Sequence, residues 1–168
     1  AVGRGRAGLK VAMLMYEENA RKINATLAAI NPAASEDIIA LGHLGAMLEA
    51  RDKLDQGYLV GMLADRGLGD DATVDCQFLG APAPFPLGPF RTAAMLGRPV
   101  FFMTGLYLGG NRYCIHFEPL ADFSATPRAE RDAAIRAAMQ NYADRLTHFC
   151  RVAPYNRFNF FAFWQNSP

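Results

Sequence analysis

Residues 57–96, GYLVGMLADRGLGDDATVDCQFLGAPAPFPLGPFRTAAML, set the architecture expected of this chain. The apolar run Tyr58 to Ala64 reads as a buried strand and ends abruptly in the charged pair Asp65-Arg66. Gly67, Gly69, Asp70 and Asp71 make a loop, Val74 to Leu79 a second short strand, and a small helix starts near Gly88. A buried strand with an acid and a base at its C-terminal end is where open α/β sheets place ligands.

Working outward, Leu9 to Met15 reads as another buried strand, and Glu17-Glu18 open a helix that runs to about Ile30. Ala20, Ile23, Leu27 and Ile30 recur at helical spacing, and Asn31-Pro32 stops the helix. Asp37 to Leu41 forms a strand, and Ala46 to Leu54 a helix with Met47, Leu48 and Leu54 inward. This strand–helix alternation predicts parallel βαβ units with right-handed crossovers. Further on, Pro99 to Leu108 and Arg112 to Glu118 flank Gly109-Gly110-Asn111, which predicts an antiparallel pair on the edge of the same sheet. Ser124 to Pro127 introduces the longest helix, striped by Ile135, Ala138, Met139, Tyr142, Leu146 and Phe149. The tail, Tyr155 to Trp164, is too aromatic to be left in water.

A length of 168 residues suits one α/β domain over 9–168 behind a glycine- and arginine-rich lead-in at 1–8. Charged residues are 20% of the chain and the net charge is +1, so nucleic acid is not an expected partner. No apolar run reaches the ~18 residues of a membrane-spanning helix, and the N-terminus has no signal-peptide pattern. The first residue is Ala1 rather than methionine, which suits a processed chain or a part of a longer one. Cys76, Cys114 and Cys150 are odd in number and widely spaced, which argues against a disulfide framework and a zinc site and for a reducing compartment.

The ordered set ADRG (64–67), FLG (78–80) and FPLGPFRTAAMLGRPVFF (85–102) resembles the C-terminal half of bacterial lysophospholipid-type acyltransferases. Within them it is most similar to the lipid A biosynthesis (lauroyl/myristoyl) acyltransferases and their aryl-polyene-associated relatives, whose closing segment APYNRFNFFAFW (153–164) resembles. The resemblance implies a partial glycerolipid acyltransferase-like fold: a mostly parallel sheet with flanking helices and an antiparallel edge hairpin. It implies transfer of a fatty acyl group from an acyl carrier protein or acyl-CoA thioester to a lipid or glycolipid hydroxyl. The reaction would take place peripherally at the cytoplasmic face of the inner membrane, with no metal or organic cofactor.

That chemistry needs a general base for the hydroxyl, which the family supplies from an H-x4-D/E motif well upstream of the Asp-Arg strand. Here GHLGAMLEA (42–50) offers His43 and Glu49, but the acid is one position late and Leu48 stands in its slot. The motif also precedes Asp65 without room for the intervening βαβ unit, so His43 reads as a loop residue before a helix. His116 alternates with apolar neighbours as a strand residue, and His148 lies near a helix end. Asp65-Arg66 reads either as an ion pair anchoring a loop or as a substrate contact. In the second reading Arg66 holds phosphate or developing negative charge and Asp65 orients it. Phe78, Phe85 and Phe90 would wall an acyl channel or pack a rigid loop, and Arg91 faces a phosphate in the channel reading.

Two other classes stay open. One is a non-catalytic acyl- or phospholipid-binding module lacking the His-acid dyad. The other is a small α/β hydrolase, against which stands the lack of any G-x-S-x-G elbow. A sheet edge left without its upstream strands predicts self-association.

Overall fold

The computed structural model describes residues 9–16, 38–41, 45–65, 71–156 and 164. It is a mixed α/β structure whose contacts group the chain into two compact units, 1–63 and 64–168. No helix among the described residues is long and apolar enough to cross a membrane.

The first unit is a parallel sheet. β1 (Val11–Tyr16) lies between β2 (Ile38–Leu41) and β3 (Leu59–Met62) and pairs parallel with both. The expected parallel pairing of these strands is therefore present. The helix expected over 17–30 falls outside the described residues. Between β2 and β3 runs α1 (Ala46–Asp55), with Glu49 in its first turn and Lys53 in its last, each matched in sign to the helix dipole. Its end is a Schellman arrangement. Tyr58 N–H donates to the Lys53 carbonyl and Gly57 N–H to that of Leu54, while Gly57 takes φ +81°. The Lys53 and Lys10 ammonium groups then sit 4.5 and 5.2 Å from the Tyr58 ring centre.

Leu48 does not face inward as expected but is 65% exposed; Ala46 and Ala50 are the buried residues of α1. Two alanines at i and i+4 let a helix lie close on a sheet, and Ala12, Leu14 and Ile39 complete this small core.

The second unit opens with an antiparallel ribbon of β4 (Thr73–Phe78) and β5 (Ala81–Pro86). Leu79 (φ 53°) and Gly80 (φ 100°) form its two-residue turn, both with the positive φ that matches strand twist. No strand was expected between Leu79 and the helix near Gly88, whereas Ala81–Pro86 is a strand. Its prolines alternate: Pro82, Pro84 and Pro86 stand opposite Gln77, Asp75 and Thr73. In a ribbon closed by a two-residue turn these are the non-hydrogen-bonded pairs, so every missing N–H would have pointed away from β4. Ala81, Ala83 and Phe85 keep the donors that β4 requires.

Gly88-Pro89 then begins α2 (Gly88–Leu96), with proline in the first turn where its lost donor costs nothing and Gly97 (φ 61°) closing the end. β6 (Pro99–Tyr107) and β7 (Tyr113–Asp122) follow as an antiparallel hairpin turning at Gly109-Gly110. This hairpin was expected on the edge of the parallel sheet. Among the described residues it instead forms a separate two-stranded sheet, β6 pairing with β7. A short 3-10 turn (Arg128–Glu130) leads into α3 (Arg131–Val152), and a second (Pro154–Asn156) follows it.

The 22-residue α3 organises the second unit. Ile135, Ala138, Met139 and Phe149 of the expected stripe are buried, as is Ala143; Tyr142 and Leu146 are half-buried. A half-buried polar flank of the helix, alongside Ala143, has its own task along β4. The Gln140 side-chain amide accepts from Gln77 N–H (2.9 Å) and donates to the Gln77 carbonyl (3.1 Å). Two turns on, the Thr147 hydroxyl accepts from Leu79 N–H (3.3 Å). These bonds occupy the outer edge of β4, while proline blunts that of β5, so the ribbon offers little template for another strand.

Candidate functional site

Phe78, Phe85 and Phe90 are brought together from β4, β5 and α2. They are 1%, 0% and 4% exposed, so they form core rather than the walls of an open groove. Phe78 meets Phe85 edge-on at 5.6 Å, and the Tyr142 ring of α3 meets Phe85, Phe90 and Phe102 edge-on at 6.0, 5.6 and 5.5 Å. Trp164 stacks on Phe78 at 5.8 Å, bringing one residue of the aromatic tail onto this cluster. Edge-to-face geometry sets the positive ring rim against the negative face, so the cluster is both apolar and orientationally specific.

Tyr142 is the residue that sequence reasoning underrated. It counted as one member of a helical stripe, yet it joins three elements. Only its placement opposite three phenylalanines from distant parts of the chain reveals that.

Arg91 adjoins Phe90 in α2 and is exposed. Asp65 is half-buried and engaged by a neighbour. Arg66 and His43 lie outside the described residues. Glu49 is exposed on the first turn of α1, where it complements the helix N-terminus.

His116 and His148 both contact Phe149, at 4.7 and 5.1 Å between ring centres. Neither is held by a carboxylate in these contacts, so neither reproduces a histidine–acid dyad. Cys76 is buried, with its Sγ 3.8 Å from the Val74 carbonyl. Burial pushes its thiol above the usual range, and the Asp75 and Asp144 carboxylates add to the rise. A thiol so placed stays protonated and is a poor nucleophile.

An open cleft of about 400 Å³ lies at the turn end of the β6–β7 hairpin, lined by Gly105, Tyr107, Gly110, Tyr113, Tyr155 and Asn156. The Asn156 side-chain oxygen accepts from Tyr107 N–H, tying the end of β6 to the turn after α3. The sequence carried Tyr155 only as part of an aromatic tail, because nothing local links it to residues some fifty positions earlier.

Models of known protein families give no match to this chain, and no curated protein matches it.

Proposed function

We propose that this chain is the C-terminal portion of a bacterial lipid O-acyltransferase of the lipid A biosynthesis type, nearest the aryl-polyene-associated group. The donor is an acyl thioester on acyl carrier protein or coenzyme A, and the acceptor a lipid or glycolipid hydroxyl at the cytoplasmic face of the inner membrane. The acyl carbonyl passes from sulfur to oxygen, and the hydroxyl proton leaves through a general base to the departing thiolate.

The observation that supports this reading most is the joining of the resemblance-bearing segments. FLG at 78–80 forms the β4–β5 turn, FPLGPF at 85–90 forms the strand-to-helix corner, and their phenylalanines share one aromatic cluster. The mixed α/β structure, with a parallel β2-β1-β3 sheet, is compatible with a partial glycerolipid acyltransferase-like fold. In this proposal Arg66 and Arg91 bind phosphate, Asp65 orients Arg66, and the aromatic cluster backs the acyl-binding surface.

One observation favours the non-catalytic reading for the chain by itself. In GHLGAMLEA (42–50), Glu49 stands one position late and Leu48 fills the acidic slot of the H-x4-D/E motif. The chain would then bind acyl chains or phospholipid without cleaving a thioester.

The test incubates the purified chain with an acyl–acyl carrier protein thioester and lipid hydroxyl acceptors. Free thiol is followed by a colorimetric reagent and the ester product by mass spectrometry. Thiol release with matching ester formation supports the enzyme. Saturable binding of a fluorescent fatty acyl probe without thiol release supports the binding module, and neither signal rejects both.

A further inference from the structure

The β6–β7 hairpin buries one face and leaves the other bare. Phe102, Leu106 and Leu120 point inward and are buried. On the opposite face Phe101, Met103, Tyr107, Tyr113, Ile115 and Phe117 are 43–66% exposed, with Gly105, Pro99 and Pro119 between them. Apart from Asp122, which stands opposite Pro99 at the strand ends, every side chain of that face is uncharged. The usual pattern for a one-sided antiparallel sheet is apolar within and polar without, whereas here the outer face is largely apolar and the inner one carries Thr104, His116 and Glu118 among its apolar residues.

The bare face is preorganised. Phe101 and Phe117 stack across the strands at 4.8 Å and 11°. Ile115 closes over Gly105, where an added Cβ would come within 3.2 Å of its Cδ1, so the middle of the face lies flat. Tyr107 and Tyr113, 5.3 Å apart, put phenol hydroxyls at the turn end. Aromatic residues and methionine at the centre with a polar rim is the composition of a protein–protein interface core.

The six residues leave roughly 700 Å² open, phenol oxygens included, close to the ~800 Å² that one partner contributes to a standard-size interface. Monomers rarely leave apolar patches of that extent uncovered. A membrane is the weaker match, since interfacial binding combines apolar insertion with surrounding lysine or arginine. β6 and β7 contain neither, their charged residues being Glu118 and Asp122, and a single arginine, Arg98 or Arg112, stands at the start of each.

We infer that the outer face of the β6–β7 hairpin is the contact surface of a homodimer, in which two hairpins stack face to face about a two-fold axis. Such a patch is self-complementary and closes at two copies, and the sheets would lie about 10 Å apart as in a β-sandwich. This contact is by face and not by strand edge, and it does not depend on the acyl-transfer reading.

Sedimentation velocity and light scattering on the full chain test it. The wild-type chain is expected at twice 18.4 kDa at tens of micromolar. Ile115→Lys and Met103→Lys each place like charges opposite one another across the axis and should weaken dimerisation by roughly 100-fold. Both sites are more than 60% exposed, so circular dichroism and the melting temperature should stay near wild type, as should the dimer in the control Leu48→Lys. A monomeric wild-type chain, a dimer indifferent to both variants, or open-ended aggregates would overturn the inference. So would a monomer that sediments with anionic phospholipid vesicles and loses that binding with Ile115→Lys.

Discussion

Phe85→Ala separates a packed core from an acyl channel. Phe85 is fully buried, with rings edge-on to it at 5.6 Å (Phe78) and 6.0 Å (Tyr142). Truncation removes the ring and leaves a hole. Loss of its transfer free energy is worth about 2 kcal/mol. A residual void of roughly 50–100 Å³ adds about 1–2 kcal/mol at ~24 cal/mol per Å³, and the lost edge contacts add about 1 kcal/mol. The total, roughly 4 kcal/mol, is a large part of the ~5–15 kcal/mol that holds a domain together. In a unit of this size it lowers the melting temperature by on the order of 10–20 °C. Urea unfolding followed by tryptophan fluorescence measures it, since Trp164 stacks on the neighbouring Phe78. Phe85→Leu, which refills most of the space, should cost under about half as much. A loss below about 1 kcal/mol for Phe85→Ala, with fatty acyl affinity changed instead, would refute the reasoning and make the ring a ligand wall.

Two further outcomes follow from the same unit. Gln140→Ala removes both bonds to the outer edge of β4 and should cost about 1–2 kcal/mol. Hydrogen exchange should quicken at the Gln77 amide and not at Leu79, whose partner is Thr147; unchanged exchange at Gln77 would contradict the clamp. Cys76 has its thiol pKa raised above the ordinary value of 9.0. Between that value and the raised one the unfolded chain sheds a proton that the folded chain keeps, so stability falls as pH rises through the window and is unaffected below it. Urea midpoints at about pH 8 and about pH 10 should diverge less in Cys76→Ala than in wild type, and Cys76 should resist alkylation in the native chain. Equal divergence in the two proteins would show that the thiol is not shifted.

What local pattern could determine, it did. β1, β2 and β3 were legible because their residues are nearly all apolar, as Leu9 to Met15 and Tyr58 to Ala64 are, although β3 was expected buried and Leu59–Met62 are half-buried. α3 was legible because a helix laid on a core repeats its apolar residues at 3.6, and the β6–β7 turn because Gly109 and Gly110 both take positive φ. β5 was missed because proline reads as a strand breaker. Its tolerance depends on which edge the absent donors face, and that is a property of the pairing with β4 rather than of the residues.

Leu48 and Leu63 look like core in a sequence yet are 65% and 66% exposed, since the helix phase and strand ends that decide burial follow from packing. The candidate site divides in the same way. Phe78, Phe85 and Phe90 could be named from their motif, but whether they enclose a ligand or one another is a three-dimensional question. In the fold, Tyr142 stands edge-on to Phe85, Phe90 and Phe102. Periodicity reports which face of an element is apolar. Which element covers that face, and whether any does, as on the outer side of β6 and β7, is settled only when distant segments meet.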